Sequence, residues 1–380
     1  MLESLERINI SNVKHPFYLF KPKKLSKSVK YFLKNFDGEV IYSVKCNPSR
    51  FILDSMNNLG LKSFDVSSIN EIKIVKKLFP DAKIYFMNPV KPRHAIFDAY
   101  FNFGVKNFAI DHNCEFKKIV QETKNAKDLN LFLRISISND FSKIKLNRKF
   151  GVDYNSAPNL LKEIRDNATK VGITFHTGSQ CMNPEAYKIG FRKTLEIVKN
   201  SNVKIDLLNI GGGFPSKYPG LKPSPLRNYL RVVRDEFKKF LSLNKKVKLL
   251  AEPGRCLVSE CMSLIVRVDL RKGKMLFINE GIYGSLNNAG NFGFRYPVKL
   301  LNSKKNRSKL VPFSFYGPTC DSNDFMKGPF FLPDSIKEGD FIEIDEMGAY
   351  STTMKTNFNG FMEESKVFLD NRDFKRNSTL

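Results

Sequence analysis

Eight short apolar runs alternate with longer amphipathic stretches over the first two-thirds of this chain, and that rhythm constrains its fold more than any other feature. The runs are VIYSVK (40–45), SFDVSS (63–68), KIYFM (83–87), NFAID (107–111), NLFLRISI (130–137), VGITFH (171–176), DLLNIGG (206–212) and KLLAEP (248–253). Stretches such as INEIKIVKKLF (69–79) and AYKIGFRKTLEIVKN (186–200) space their apolar residues at helical period between them. Strand followed by helix, repeated, calls for parallel strands joined by crossovers. Eight such units predict a (β/α)8 barrel, an α/β fold, over residues 21–256. After Arg255 the texture changes. CLVSECMSLIVRVDLRKGKMLFINEGIYG (256–284) and GDFIEIDEMGAYS (339–351) are strand-rich and lack long helical patterns. They predict a mainly β domain over 257–372, to which the N-terminal 1–20 can add a strand through FYLF (17–20).

In such barrels the chemistry gathers at the C-terminal ends of the strands. Lys45, Asp65, His176, Gly211, Gly212, Gly213, Glu252 and Arg255 all lie at or just past a predicted strand end. They are far apart in sequence, yet would ring one mouth. Each also has a plain reading. Lys45, in IYSVKCNPS, is one of 63 Lys and Arg residues and by itself reads as a surface charge. IGGGFP lets backbone approach an anion closely and offers N–H donors, but it is equally a tight turn. In AEPGR the Pro-Gly turn fixes Glu252 and Arg255, as a ring-nitrogen partner and its neighbour or as a bracing ion pair. His176, followed by Gly178 and Ser179, is a stacking partner or a core histidine. Cys320 and Asp321, in YGPTCDSND (316–324), are a proton donor beside a cation anchor or an ordinary turn. Taken together the motifs read as a bound phosphate, an aromatic cation and a reactive amine.

Composition narrows the function classes. The net charge is +25, but the lysines are spread throughout, and KPKKLSKSVK (21–30) and KKNRSK (304–309) read as solvated faces. Without a recognition motif that interleaves aromatics, a nucleic-acid partner is not expected. No apolar run reaches the ~18 residues of a membrane span, and MLESLERINISNVKH has no apolar segment of a secretory signal. Six cysteines without CxxC spacing suggest thiols in a reducing, cytoplasmic setting. DFKRNSTL (373–380) reads as a frayed tail.

The combined motifs resemble the fold-type III pyridoxal-phosphate (PLP) decarboxylases that act on ornithine, lysine and diaminopimelate, over residues of about 15 to 365. YSVKCN resembles the family's cofactor-lysine motif, and FDVSSINEI (64–72), MNPVK (87–91) and RKFG (148–151) resemble other family segments. GPTCDS and GAYSTTMKTNFNGF (348–361) are similar to the ornithine decarboxylase branch, and the short chain is most similar to bacterial ornithine/lysine decarboxylases. The resemblance implies that Lys45 forms a Schiff base with PLP and His176 stacks on its ring. It implies that Gly211, Gly212, Gly213 and Tyr350 hold the phosphate, with Arg255 and Ser179 near it. Glu252 is implied as the partner of the pyridine nitrogen, Cys320 as the proton donor and Asp321 as the anchor for the substrate's distal ammonium. Asp65 and Arg134 match family positions and are given supporting roles. The family also implies a homodimer in which Cys320 and Asp321 reach the lysine site of the other subunit.

The implied reaction is decarboxylation of a basic L-amino acid, ornithine or lysine, to putrescine or cadaverine for polyamine synthesis. One segment departs from the pattern. YGSLNNAGNFGFRYP (283–297) holds no Asp or Glu, where relatives carry a carboxylate for the distal amine. That departure motivates an alternative, a decarboxylase of a different or conjugated amino acid in a specialised pathway. A second alternative is a non-catalytic regulatory homologue.

Overall fold

The computed structural model describes residues 2–7, 9–10, 13–301, 308–361 and 365–372. Residues 304–307 of the second basic cluster and the tail 373–380 lie outside them. The chain divides into two compact units. One comprises Val29–Ser216 and Pro223–Cys256; the other comprises Met1–Ser28, Lys217–Lys222 and Leu257–Leu380.

Strand β1 (Phe17–Phe20) and helix α1 (Pro22–Asn35) open the chain. There follow β2 (Glu39–Ser43), α2 (Arg50–Asn58), β3 (Ser63–Val66), α3 (Ile69–Leu78), β4 (Lys83–Phe86), α4 (Arg93–Phe101), β5 (Asn107–Ile110), α5 (Asn113–Glu122) and β6 (Asn130–Arg134). Then come β7 (Ser142–Ile144), α6 (Ala157–Arg165), β8 (Lys170–Thr174), β9 (Ser179–Cys181), α7 (Glu185–Ser201), β10 (Leu207–Asn209), α8 (Leu226–Leu243) and β11 (Lys248–Ala251). Strands β10-β11-β2-β3-β4-β5-β6-β8 form a closed barrel, and each of the eight grows from one of the eight apolar runs. Their pairing is parallel throughout. Ile41, Tyr85, Met87, Ala109, Phe132, Leu207 and Leu250 pack together as a buried cluster. Burial of each large side chain of this kind stabilises the fold by about 1.5–3 kcal/mol. Helix starts are specified locally: the N-cap Ser68 accepts from Glu71 N at 3.2 Å while the Glu71 carboxylate reaches back past it to accept from Ser67 N at 2.6 Å, so two donors at the head of α3 are satisfied.

The strands are shorter than the apolar runs. β2 stops at Ser43, and Lys45 sits in a 3-10 turn, Val44–Cys46, rather than on a strand tip. β8 stops at Thr174, two residues before His176. The chain bends early because polar side chains there bond locally: Asn47 Oδ1 accepts from Ser49 N at 3.1 Å and His176 Nδ1 from Gly178 N at 3.0 Å. The antiparallel pair β7–β9 was not foreseen. Three-residue strands are too short to leave a periodic signature.

The second unit is mainly β. After α9 (Arg255–Val258) come β12 (Met262–Lys272), β13 (Met275–Ile278), α10 (Asn287–Asn291), β14 (Val298–Leu300), β15 (Leu310–Tyr316), β16 (Phe325–Pro333), β17 (Phe341–Ile344) and β18 (Val367–Leu369). The sheet order is β14-β17-β12-β13-β15-β16, and β1 pairs antiparallel with β12 and parallel with β18. FYLF thus belongs to the β sheet. Glu343 of β17 is buried in this sheet yet well supplied with donors. Arg372 approaches it at 2.8 and 2.9 Å, Ser263 Oγ at 2.9 Å, Lys299 at 3.1 Å and Lys21 at 3.5 Å. Among the described residues no helix is long and apolar enough to cross a membrane.

Candidate active site

At the C-terminal mouth of the barrel, neighbouring strand ends bring five titratable groups together: Lys45, Asp65, Arg134, His176 and Glu252. Register places Ser43 of β2 opposite Asp65 of β3. Asp65 is buried, and its Oδ2 accepts from Lys45 Nζ at 2.7 Å and from Ser43 Oγ at 3.0 Å. Its other oxygen, Oδ1, is buried without a hydrogen-bond partner. Lys45 keeps part of its side chain open to solvent. Asp65 therefore aims the amine and can take the proton it must shed before attacking a carbonyl carbon.

Glu252 follows β11 and is buried. Burial first, then the Asp65 charge, pushes its carboxyl well above the usual carboxylate range, against the pull of Lys45 and Arg134. His176 is shifted the other way. Burial, with Arg134 and Lys45 nearby, lowers its pKa well below the usual histidine value, so the imidazole is neutral near pH 7. A neutral, flat ring with one nitrogen tied down suits stacking. Arg134, at the end of β6, feels Glu252, Asp65 and Asp111, and burial lowers its pKa.

Beside this group lies the glycine loop. Gly211 and Gly213 have φ of +65° and +99°, the left-handed region open to glycine. A Cβ on Gly211 would come within 2.2 Å of Phe175 O, and one on Gly213 within 2.3 Å of Thr177 Oγ1. Carbonyls of the loop turn inward: Gly212 O accepts from Tyr187 Oη at 2.8 Å and Gly213 O from Cys181 N at 2.9 Å. The amides of Gly212 and Gly213 form no hydrogen bond with the described residues. Arg255 Nη2 contacts Ser179 Oγ at 3.3 Å on the same mouth. A phosphate fits this set, because the glycine loop leaves amide donors free where side chains are excluded and a guanidinium lies on the same mouth. Neutral His176 and the carboxyl of Glu252 would suit a pyridine ring, and the Lys45 amine lines the same cavity. That cavity, about 310 Å3, is lined by Lys45, Arg134, His176 and Glu252, and by Met87, Asn88, Pro89, Leu146, Arg148 and Phe150 among others.

Two residues at the mouth escaped the sequence reading. Asn209, at the end of β10, donates to Glu252 Oε1 at 2.6 Å. A polar residue inside the apolar run LLNIGG was its signal. Lys91 of MNPVK is fully buried, and its Nζ donates to the carbonyls of Asn88 at 2.9 Å, Pro89 at 3.2 Å and Ala109 at 2.6 Å, with Glu115 at 3.0 Å. It holds the cavity wall 88–89 from behind. Burial lowers its pKa to about 8.

Cys320, Asp321 and Tyr350 belong to the β unit. Cys320 and Asp321 occupy the turn between β15 and β16 and are exposed or nearly so. Asp324 braces this turn from below, accepting from Ile282 N at 2.8 Å and from Thr319 N and Oγ1 at 3.1 and 2.8 Å. Cys320 N donates to Asn359 Oδ1 at 3.1 Å. Asp321 accepts from Tyr283 Oη and from Asn323 N, and these bonds hold its carboxyl below the usual range. Tyr283 opens the acid-poor segment and was not singled out from sequence. Tyr350 follows β17 with φ +63°, a left-handed conformation uncommon for a bulky residue.

Comparison with known proteins agrees with this geometry. Residues 23–259 match the pyridoxal binding domain of the pyridoxal-dependent decarboxylases. Antizyme inhibitor 2 of Xenopus laevis is 31% identical over 346 residues, covering 85% of this chain and 74% of that protein. The ornithine decarboxylase of Caenorhabditis elegans is 31% identical over 354 residues, covering 87% and 81%. The crystal structure of the Paramecium bursaria Chlorella virus arginine decarboxylase superposes with a TM-score of 0.82 at 28% identity, covering 93% of this chain and 96% of that one. An eight-stranded parallel barrel followed by a β unit, a lysine turn that shares a cavity with His176 and Glu252, and a family match across more than half the chain lead to one conclusion: this protein belongs to the pyridoxal-dependent decarboxylases.

Proposed function

We propose that this enzyme decarboxylates a basic L-amino acid, ornithine or lysine, to the corresponding diamine, putrescine or cadaverine. The observation that carries the reading is the Lys45–Asp65 pair in one cavity with His176 and Glu252, beside which the glycine loop packs against His176 and Glu252. The names of the relatives, which include ornithine and arginine decarboxylases, support a basic substrate.

Lys45 holds the cofactor covalently, and His176 stacks on it. Gly211, Gly212, Gly213, Ser179, Arg255 and Tyr350 hold its phosphate, and Glu252 addresses the ring nitrogen. PLP, when bound, supplies an electron-withdrawing ring that accepts the electron pair left when the Cα–carboxylate bond breaks. Glu252 favours that role by keeping a proton on the ring nitrogen. Cys320 would supply the proton that Cα takes up, with the electron pair returned from the ring, after CO2 has left. Asp321, kept ionised by Tyr283, receives the distal ammonium. The working enzyme is a cytoplasmic homodimer in which Cys320 and Asp321 of one subunit complete the Lys45 site of the other. Nucleic acid is not a partner.

The test is CO2 release with added PLP from L-ornithine, L-lysine, L-arginine, meso-diaminopimelate and neutral amino acids. Release from ornithine or lysine supports the proposal. Release from neutral or conjugated amino acids alone favours the second reading, which the acid-poor 283–297 segment motivates. PLP binding without turnover of any amino acid favours a regulatory role.

A further inference from the structure

We infer that Asn209 is a positioning residue that ties the acid facing the cofactor's ring nitrogen to the loop facing its phosphate. The inference rests on the pyridoxal-dependent reading above and deepens it. Asn209 is completely buried at the end of β10. Its Nδ2 donates to Glu252 Oε1 at 2.6 Å, and its Oδ1 accepts from Gly211 N at 2.9 Å. Glu252 N in turn donates to Gly211 O at 2.9 Å. Three residues thus close a ring of three hydrogen bonds. One member carries the carboxylate and another opens the glycine loop, so a displacement at either end is transmitted to the other.

The chemistry of the amide explains why this residue type stands here. Glu252 needs a donor and Gly211 N–H needs an acceptor, so the amide fits in one orientation only. An amide also donates without titrating. A carboxyl in its place would face Glu252 and, beyond it, Asp65, with Lys45, Arg134 and His176 as the other titratable groups around Glu252. Two such acids would share a single proton and lose it as the pH rises. An alanine would leave a buried carboxylate oxygen and a buried amide N–H without these partners.

The test is a PLP titration of the full-length protein, followed by the visible absorbance of Lys45-bound cofactor, between about pH 6 and pH 9. Asn209→Ala is expected to weaken PLP binding about 10-fold or more at every pH. Asn209→Asp, which keeps the shape, is expected to bind nearly as the wild type at the acid end and progressively worse toward the alkaline end. Added to Glu252→Ala, Asn209→Ala should cost less than it does alone, because one of its two partners is already gone. An Asp variant that follows the wild type across the range would overturn the inference, as would an undiminished Ala penalty in the Glu252→Ala background. Either result would reduce Asn209 to packing. A wild-type protein that develops no absorbance with PLP would instead sink the pyridoxal reading, and this inference with it. Should Asn209→Ala fail to fold, the isosteric Asp variant carries the decision.

Discussion

Glu252 at the barrel mouth and Glu343 in the β sheet are both buried, 3% and 1% exposed, yet their surroundings push them in opposite directions. Glu343 is met by Arg372, Lys21, Lys299 and Ser263, and these hold its carboxyl down to about 2. Glu252 has Asn209 as a donor, a second acid beside it and cations pulling more weakly than burial pushes, so it is raised. A buried charge fully compensated by its own chain is structure. A buried charge left short of compensation is available to an outside partner, which under the proposed function is a cationic ring nitrogen. The difference separates the reactive region from the supporting one more sharply than burial does.

The contrast can be broken at several points, the largest effect first. Lys45→Ala should abolish the visible absorbance of bound PLP and lower decarboxylation by at least on the order of 10^3-fold. Normal absorbance and turnover in that variant would remove Lys45 from the site. Glu252→Gln should lower kcat by about 10^2-fold. It also carries a stability signature in protein free of cofactor. Because the folded-state pKa of Glu252 is raised above its ordinary value of 4.5, the ionised carboxylate costs stability as pH rises through the shifted value. The Gln variant should therefore melt higher than wild type near pH 8, with the gap closing toward pH 4.5. A gap that widened on acidification would contradict the assignment. Cys320→Ala should divert protonation, raising abortive transamination by about 10-fold relative to amine formation; an unchanged product ratio counts against the proton-donor role. Arg372→Ala should cost about 1–3 kcal/mol of stability, given that the arginine is part-exposed, and leave PLP affinity unchanged. The lowered pKa of Glu343 means this stability is present above the ordinary Glu range and lost as pH falls toward 2. Acid unfolding of the variant should begin at higher pH than in the wild type, and a shift in PLP affinity would show that the two regions are not independent.

The barrel was legible because its strands are buried on both faces and so read as near-continuous apolar runs. The mouth residues were legible because they lie at strand ends and carry glycine, proline or a lone charge. Asn209 was not, because its meaning depends on register. β10 pairs with β11 so that Asn209 lies opposite Leu250, two residues before Glu252, and no local pattern announces such a cross-strand partner. Lys91 was legible as a motif but not as a clamp, since its acceptors are backbone carbonyls present in every sequence. The grouping of Lys217–Lys222 with the β unit was hidden for a similar reason: six residues are too few to carry a period.

Strand β1 has a consequence for the order of events during synthesis. Phe17–Phe20 is apolar and buried along its whole length, but its neighbours are β12 and β18, which lie beyond every strand of the barrel. A growing chain therefore emits this apolar segment before every strand of the barrel and must keep it single while the entire barrel is made. An unpaired apolar strand in that interval invites association with other nascent chains. Lys21, Lys23 and Lys24 stand immediately after it, where charge opposes such contacts. In the finished protein Lys23 and Lys24 stand on α1 and Lys21 is buried against Glu343 and Asp345; for the newborn chain they act as a guard on an edge that has to wait.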